Sequence, residues 1–567
     1  MRTFEAIAER FRSAECGPGT RIPTPFGPRL LHPADGTATG HHLDLVERWV
    51  DALRPLYANT HTAVSTTGRV MNGLREEART AISRSVNAGP DDVVLFTGSG
   101  ATAAVNKLVG LLGLRISEPL DRVHGLSARI PPEARPVILV GPYEHHSNEL
   151  PWVESIAEVQ EVGLDAGGGI DLHDLRRRAR AARGRPLVAG TFSAASNVDG
   201  LLTDVAAVAR VLHEEGALAF VDYAAGAPYL PIDMHPADPM ARLDAIFVST
   251  HKFPGGPEGS GVLVAHRDLF RTRVPERPGG GTVDYVSGCR RDQIDYVRSL
   301  AEREEAGTPD ILGDLRAGIA FVLKDAAGAL AIRDHDVALA RAALDRLARH
   351  PRIRVYGPTD APRLPILSFN VHGLHHDLVS ALLDHLFGIQ NRAGCSCAGP
   401  YGHRLLGVTG ERSDRFRRLI ASGVTGAKPG WVRVSLPWYA APEDVEFTLR
   451  AVEFVASRGE AFVPLYRLDW RDGVWRHREA EVARPSPVRL TAESLLEDPA
   501  PAPSPPAPAE RRAEKASYLA EAERIADALD ARWRREPPAW NRPTGHPEVD
   551  ELAWFRYVET EGLPGAR

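Results

Sequence analysis

Five lysines, Lys107, Lys252, Lys324, Lys428 and Lys515, stand among 68 basic residues, so arginine carries nearly all the positive charge. A guanidinium stays protonated, whereas a lysine in a desolvated pocket can lose its proton and attack an aldehyde. Lys252 lies in "VSTHKFPGG" (Val248 to Gly256), between an apolar run and a Pro-Gly turn. Asp222 precedes it by 30 positions, at the end of the apolar run "LAFVDY". Farther upstream, "FTGSGATAAVNKLVG" (Phe96 to Gly110) leads a strand through a Gly/Ser/Thr turn into a helix, whose open amides and positive dipole end suit a phosphate. Taken singly, these are a surface charge, a turn cap and an N-capped helix. Taken together, an imine-forming lysine, an aspartate able to keep a pyridine nitrogen protonated and a phosphate cup favour pyridoxal phosphate.

The elements that must position these groups are legible as alternating runs. "DVVLFT", "RPVILVG", "PLVAGTF", "LAFVDY" and "DAIFVST" read as strands, separated by amphipathic helices such as "TDVAAVARVLHEEG". That alternation predicts an α/β fold with a mostly parallel sheet covered on both faces. Each run is followed by polar, small residues, and in such sheets ligands sit beyond the carboxyl ends of the strands.

We expect four segments. Residues 1–85 form an N-terminal segment packing on the small domain and cleft, and 86–315 a large cofactor-binding α/β domain. Residues 316–460 form a smaller α+β domain carrying a cysteine loop. An extension, 461–567, contains a Pro/Ala linker at about 498–510, "DPAPAPSPPAPAE", and a terminal helix.

At 567 residues the chain is too long for one core. A net charge of −6 supplies no general field for nucleic acid or anionic membrane, and the basic run Arg176 to Arg185 reads as a solvated helix face. The N-terminus mixes acids with bases, without the apolar core of a secretory signal, and no uninterrupted apolar run nears membrane-span length. Four cysteines, Cys16, Cys289, Cys395 and Cys397, are too few for a disulfide scaffold and fit a reducing, cytoplasmic setting.

The ordered motifs "EHHSNELPW", "SNVDG", "VDYAA", "STHK", "GGGTVDYV", "EAGTPD" and "RAGCSCAGP" resemble those of fold-type I, class V aminotransferase-like enzymes, nearest to cysteine desulfurases and selenocysteine lyases, over roughly residues 30–455. The resemblance implies a set of roles. Lys252 would bind the cofactor covalently. His145 would stack on its ring and assist proton transfer, and Asp222 would pair with the ring nitrogen. Asn197 would lie near the ring oxygen and the substrate carboxylate. Ala101, through its backbone, with Thr102, Ser249 and His251, would hold the phosphate. Thr282 would reach the partner subunit's phosphate in a homodimer, and Arg392 would clamp the carboxylate of an amino-acid substrate. It also leaves room for a sulfur-acceptor protein as a second partner.

Within "RAGCSCAGPYGH" the resemblance aligns Cys397 with a nucleophilic cysteine that takes sulfur from the substrate as a persulfide, leaving alanine. Cys395 and Cys397 also admit plainer readings: buried small residues, a redox pair, or metal ligands with His403, although C-x-C plus one histidine is a weak zinc pattern. One position departs from the family. Ala225 stands where a glutamine usually hydrogen-bonds the ring oxygen, which keeps open a C–S lyase, epimerase, transaminase or decarboxylase reaction. A non-catalytic interaction protein on the same fold is the rival from another class.

Overall fold

The computed structural model describes residues 3–480, 490–496 and 505–563. They fall into two compact units: Met1–Glu15, Thr37–Leu339 and Asp360–Leu364 in the first, and Cys16–Gly36, Ala340–Thr359 and Pro365–Arg567 in the second.

The first unit is built on a seven-stranded sheet. Its strands are β1 (Asp92–Gly98), β2 (Val137–Val140), β3 (Glu158–Glu161), β4 (Val188–Ser193), β5 (Leu218–Asp222), β6 (Ala245–Val248) and β7 (Gly261–His266). Their order is β1-β7-β6-β5-β4-β2-β3, with parallel pairing from β6 through to β3 and β7 antiparallel to both neighbours. Every residue of β2 and β6 is buried, as strands covered on both faces must be. The expected strands all form, and the α/β class holds. Two strands escaped the sequence reading. β3, "EVQE", is an edge strand of polar composition, and β7 supplies the antiparallel neighbour of β1 and β6.

Helices cover the sheet: α1 (Thr66–Ser85), α2 (Gly100–Leu111), α3 (His146–Val153), α4 (Leu172–Ala181), α5 (Val205–Glu214) and α6 (Ile311–Ala327). The basic run beginning at Arg176 lies on and just after α4. Its Arg176, Arg180 and Arg183 pair with Glu215 beyond the end of α5, so it is a helix face holding its neighbour. Glu305, from "EAGTPD", is buried among Arg75, Arg79 and the Phe96 amide, and Asp314 accepts from Arg75 Nε and Ser260 Oγ, both at 2.6 Å. This network ties α1 and α6 to the end of β1.

The second unit carries a four-stranded antiparallel sheet, β8 (Ile353–Val355), β9 (Ile366–Val371), β10 (Arg392–Gly394) and β11 (Trp431–Ser435), ordered β8-β9-β11-β10. Its helices include α7 (His376–Phe387), which packs on β9, β10 and β11, with α8 (Gly399–Leu406), α9 (Gly410–Ala421) and α10 (Pro442–Arg458). The extension is integral to this unit. Its 28-residue helix α11 (Pro508–Arg535) begins three residues inside the expected linker, because Pro508 suits a first helical turn and Glu510 caps the Ala507 amide at 3.0 Å. Residues 498–504 of that linker lie outside the described residues.

Helix α11 is held by buried polar groups. Lys515 Nζ donates to Asp444 Oδ1 at 2.5 Å and to His32 Nδ1 at 3.0 Å, while His32 Nε2 meets Thr448 Oγ1 at 2.8 Å. Tyr518 Oη accepts from the Leu30 amide at 3.0 Å, and Arg29 reaches Glu521 at 2.8 Å. No helix among the described residues is long and apolar enough to cross a membrane.

Because Lys515 satisfies buried His32 and half-buried Asp444 at once, Lys515→Met should destabilise the second unit by about 2 kcal/mol, the range for lost charged hydrogen bonds. Thermal unfolding of the variant should show a lowered midpoint, with α11 becoming sensitive to limited proteolysis. An unchanged melting curve would mean that the apolar face of α11 alone secures the tail.

Candidate functional site

The carboxyl ends of the parallel strands collect most of the predicted residues in the first unit. β1 ends at Gly98, and after Ser99 the helix α2 opens with Gly100 at φ +60°. A Cβ on Gly100 would approach Ser249 Oγ to 2.8 Å and His251 Nε2 to 3.4 Å, so the backbone lies tight against the loop that carries Lys252. The Ala101 amide donates to Ser249 Oγ at 2.9 Å. Thr102 Oγ1 meets Ser147 Oγ at 2.7 Å, joining the start of α2 to the start of α3. These hydroxyls and amides gather at one helix N-terminus, whose donors and dipole suit an anion.

After β6, Thr250–Lys252 make one turn of 3₁₀ helix, fixed by the Lys252 amide on Ser249 O at 3.1 Å and by Thr250 Oγ1 on Ser260 O at 2.5 Å. The segment from Thr37 braces this turn from outside: the Gly40 amide donates to His251 O at 2.8 Å, and a Cβ on Gly40 would sit 1.9 Å from Phe253 O. Burial and the neighbouring Lys252 charge push His251 down to about 4, so it offers a neutral imidazole at neutral pH.

Asp222 is buried at the end of β5, paired in register with Ser193 of β4 and Phe247 of β6. Its Oδ1 accepts from the Ala224 amide at 2.8 Å. Burial raises its pKa, with the Ala224 bond and the Lys252 charge opposing. A buried carboxylate with one backbone donor suits a cationic ring N–H better than water does.

His145 caps α3, its Nδ1 accepting the Ser147 amide at 3.0 Å, which assigns the proton of the neutral ring to Nε2. Asn197 is buried in the turn after β4, where Gly200, at φ +77°, packs so closely that a Cβ there would lie 2.4 Å from Leu364 O. Ala225, expected at the place of the family's glutamine, is buried. Thr282 is buried too, but its hydroxyl donates to Gly279 O at 2.7 Å, just before the hairpin Val283–Val286 and Ile294–Tyr296.

Sequence reasoning missed Glu144, although it stands in the quoted "EHHSN". This fully buried carboxyl accepts from the Ser193 amide at 2.9 Å, Ser193 Oγ at 2.6 Å and Asn148 Nδ2 at 2.6 Å. Burial first, and Asp222 in part, push it up to about 7. It locks the ends of β2 and β4 beside Asp222. An acid closing an apolar strand was the available signal.

Arg392, Cys395 and Cys397 belong to the second unit. Arg392 Nε donates to Asp35 Oδ2 at 3.0 Å, and Asp35 Oδ1 accepts from buried Arg433 at 2.8 Å. Asp35, also missed, thereby engages Nε of a half-exposed guanidinium and leaves its two terminal nitrogens clear of that bond. In the cysteine loop the Ala398 amide donates to Cys395 O at 3.2 Å, and the two central residues, Ser396 and Cys397, have φ of 51° and 55°. This is a primed turn made without glycine, costing of order 1 kcal/mol per residue. It leaves Cys397 exposed and Cys395 half-buried. Among the described residues, the possible metal ligands that cluster are His375, His376 and Asp377, without either cysteine, and His375 Nδ1 already accepts the Asp377 amide at 3.2 Å.

The aminotransferase class-V family model matches residues 34–447. A probable cysteine desulfurase of Halalkalibacterium halodurans is 30% identical over 372 residues, covering 65% of this chain and 84% of that one. A cysteine desulfurase of Pectobacterium atrosepticum is 30% identical over 368 residues, 63% and 81% of the two chains. Among solved structures, the apo cysteine desulfurase of Thermococcus onnurineus NA1 superposes with a TM-score of 0.63 at 26% identity, over 81% of this chain and 99% of that one. The Escherichia coli cysteine desulfurase CsdA gives 0.57 at 25% identity, over 75% and 94%.

The depressed His251 pKa has a definite linkage sign. The unfolded state, near 6.5, takes up a proton that the folded state refuses until about 4, so this contribution to stability is present above 6.5 and is lost as pH falls through that window. In cofactor-stripped protein, the stability of wild type relative to His251→Gln should fall by about 1–2 kcal/mol between pH 7 and pH 5, discounted for partial exposure. Urea unfolding at the two pH values measures it, and a pH-independent difference would contradict a neutral, desolvated imidazole.

Proposed function

The chain belongs to the aminotransferase class-V family, and on that premise we propose that it is a pyridoxal phosphate-dependent cysteine desulfurase, removing sulfur from L-cysteine or a related sulfur or selenium amino acid and leaving alanine. The observation that carries this reading is the exposed Cys397 at the apex of a primed turn, in a chain whose relatives are named cysteine desulfurases.

The residues present fit the cofactor the family implies. The cradle of Ala101 N, Thr102, Ser249 and neutral His251 would take its phosphate, buried Asp222 its ring nitrogen, and Lys252 its aldehyde. His145 would lie on the ring face and Asn197 beside the ring oxygen, with Thr282 contributed across a homodimer. When bound, the cofactor supplies an electron sink for bonds broken around the substrate α-carbon.

The chain's own groups do the rest. Arg392, steadied through Nε by Asp35, offers its terminal nitrogens to the substrate carboxylate as a bidentate clamp. Lys252 Nζ would take and return the proton at the substrate α-carbon, and His145, whose Nδ1 is engaged by the Ser147 amide, would hold or give one through Nε2. Cys397 Sγ, as thiolate, attacks the substrate sulfur. The new S–S bond forms as the C–S bond breaks, the electron pair stays with carbon, and a proton completes alanine. A sulfur-acceptor protein or reductant would then discharge the persulfide.

Ala225 favours a second reading, another class V reaction on a specialised amino acid, because a methyl group in that buried position donates no hydrogen bond to the ring. The two part at one residue. With L-cysteine and a reductant, wild type should release alanine and sulfide. Cys397→Ser should lose at least about 10²-fold in sulfide release while keeping the visible cofactor band, and Lys252→Ala should lose the covalently attached cofactor. A persistent cofactor band with no alanine from cysteine would refute the desulfurase and leave the family's other reactions.

A further inference from the structure

Helix α9 projects three arginines toward the returning C-terminal segment, and they are treated differently. Arg415 pairs with Glu548 and Glu551, and Arg418 with Glu548. Arg412 has no carboxylate within salt-bridge distance among the described residues. It lies over the Phe416 ring at 5.5 Å. The same contrast appears at the start of β8, between the residue before the strand and one within it. Arg352 pairs with Glu460, whereas Arg354 lies over Tyr356 at 5.1 Å and donates to Leu405 O, with no carboxylate among the described residues. Arg412 is half-buried and Arg354 exposed, and the two line one cavity of about 240 Å³.

Its other walls are aromatic and polar. Tyr356, Phe416 and Trp554 line it, and so does Asn370. Asn370 Nδ2 donates to Gly430 O at 2.8 Å and to Tyr356 Oη at 3.0 Å, which fixes the amide orientation. Its Oδ1 is then a buried acceptor with no hydrogen-bond partner among the described residues, a costly state unless something fills the cavity with a donor. No carboxylate of the described residues lines the cavity. The Trp554 wall is fixed in place: its ring stacks on His376 with planes 10° apart, and the Arg556 amide pins the segment to Gly373 O at 2.9 Å.

We infer that this cavity is a binding site for a small aromatic carboxylate bearing a hydroxyl or N–H donor. The carboxylate meets the guanidinium groups of Arg354 and Arg412, the ring packs among Tyr356, Phe416 and Trp554, and the donor satisfies Asn370 Oδ1. The volume lies below the ~300 Å³ at which pockets for drug-sized ligands begin, which limits the ligand to a single ring. None of the residues assigned to the cofactor or to catalysis lines this cavity, and the inference does not depend on the reaction assigned above.

The test is titration of the full chain with 4-hydroxybenzoate, followed by calorimetry and tryptophan fluorescence. Saturable binding with one site per chain is expected. It should weaken at least about ten-fold, or ~1.4 kcal/mol, in Arg354→Gln/Arg412→Gln, and by a similar factor when wild type is given the uncharged 4-hydroxybenzamide. Arg392→Gln should leave it unchanged. Absence of saturable binding, equal affinity for the amide, or loss in Arg392→Gln with retention in the double variant would each overturn the proposal, the last by placing the carboxylate at the substrate clamp. The amide comparison, made in wild type, stands even where the double variant fails to fold.

Discussion

A carboxylate buried at the end of a central strand is the constraint around which the first unit is organised. Asp222 leaves water for a position where a single backbone amide and the charge of Lys252 oppose its desolvation. Such a group is stable only if the surrounding backbone is rigid and a cation is supplied. The parallel register supplies rigidity, because β4 and β6 pair with β5 out to Ser193 and Phe247, the residues flanking Asp222. Lys252 supplies charge from the turn after β6. Glu144 adds a second acid on the far side, and its own protonation near neutrality relieves the repulsion that two buried carboxylates would otherwise impose.

The same logic explains why the loops are so tightly braced. Under the proposed function, a phosphate cradle made from amides and hydroxyls would work only if those donors were held before the anion arrived. Here Ser249 receives the Ala101 amide, Ser147 meets Thr102, and the segment at Gly40 presses on the backbone of His251 and Phe253. The desolvation that lowers His251 is a by-product of this packing. It makes the imidazole a neutral hydrogen-bond partner and leaves Lys252 as the cation of the loop.

Much of this is legible in the sequence because parallel strands buried on both faces are written as continuous apolar runs, and the site follows each run directly. The five expected strands and the loops after them need no long-range information. What stays hidden depends on residues far apart in sequence. β3 has the composition of a surface segment and becomes a strand only by pairing with β2. Asp35 is one acid in a loop until Arg392 and Arg433, over 350 positions away, meet its two oxygens. Helix α11 is visible by its period, but its attachment through Lys515 joins His32 and Asp444 from separate stretches. Its start falls inside the expected linker because proline in a Pro/Ala run reads as linker, whereas Pro508 is in a first turn that lacks nothing by its missing N–H.

The extension therefore does more than lengthen the chain. Residues beyond the family match supply Lys515, Tyr518 and Arg29's partner Glu521 to one face of the second unit, and Trp554 to another. Both attachments use ion pairs, but they differ in what they leave unmatched. Around α11 the buried charges of Lys515 and Arg29 find opposite charges or hydrogen-bond partners, which is how a permanent interface is closed. Around Trp554 the segment is anchored by stacking, by the Arg556 amide on Gly373 O and by ion pairs of Glu548, Glu551 and Arg556, while the Arg354 and Arg412 guanidinium groups and the Asn370 amide oxygen beside it are left without acids or donors among the described residues. An interface that only needs to hold has no use for the buried Asn370 oxygen and the half-buried Arg412, because each carries a desolvation cost that a neighbouring donor or acid would remove. Their retention at one cavity, beside arginines on the same helix that are fully paired, is what distinguishes a surface built to receive a ligand from one built to close.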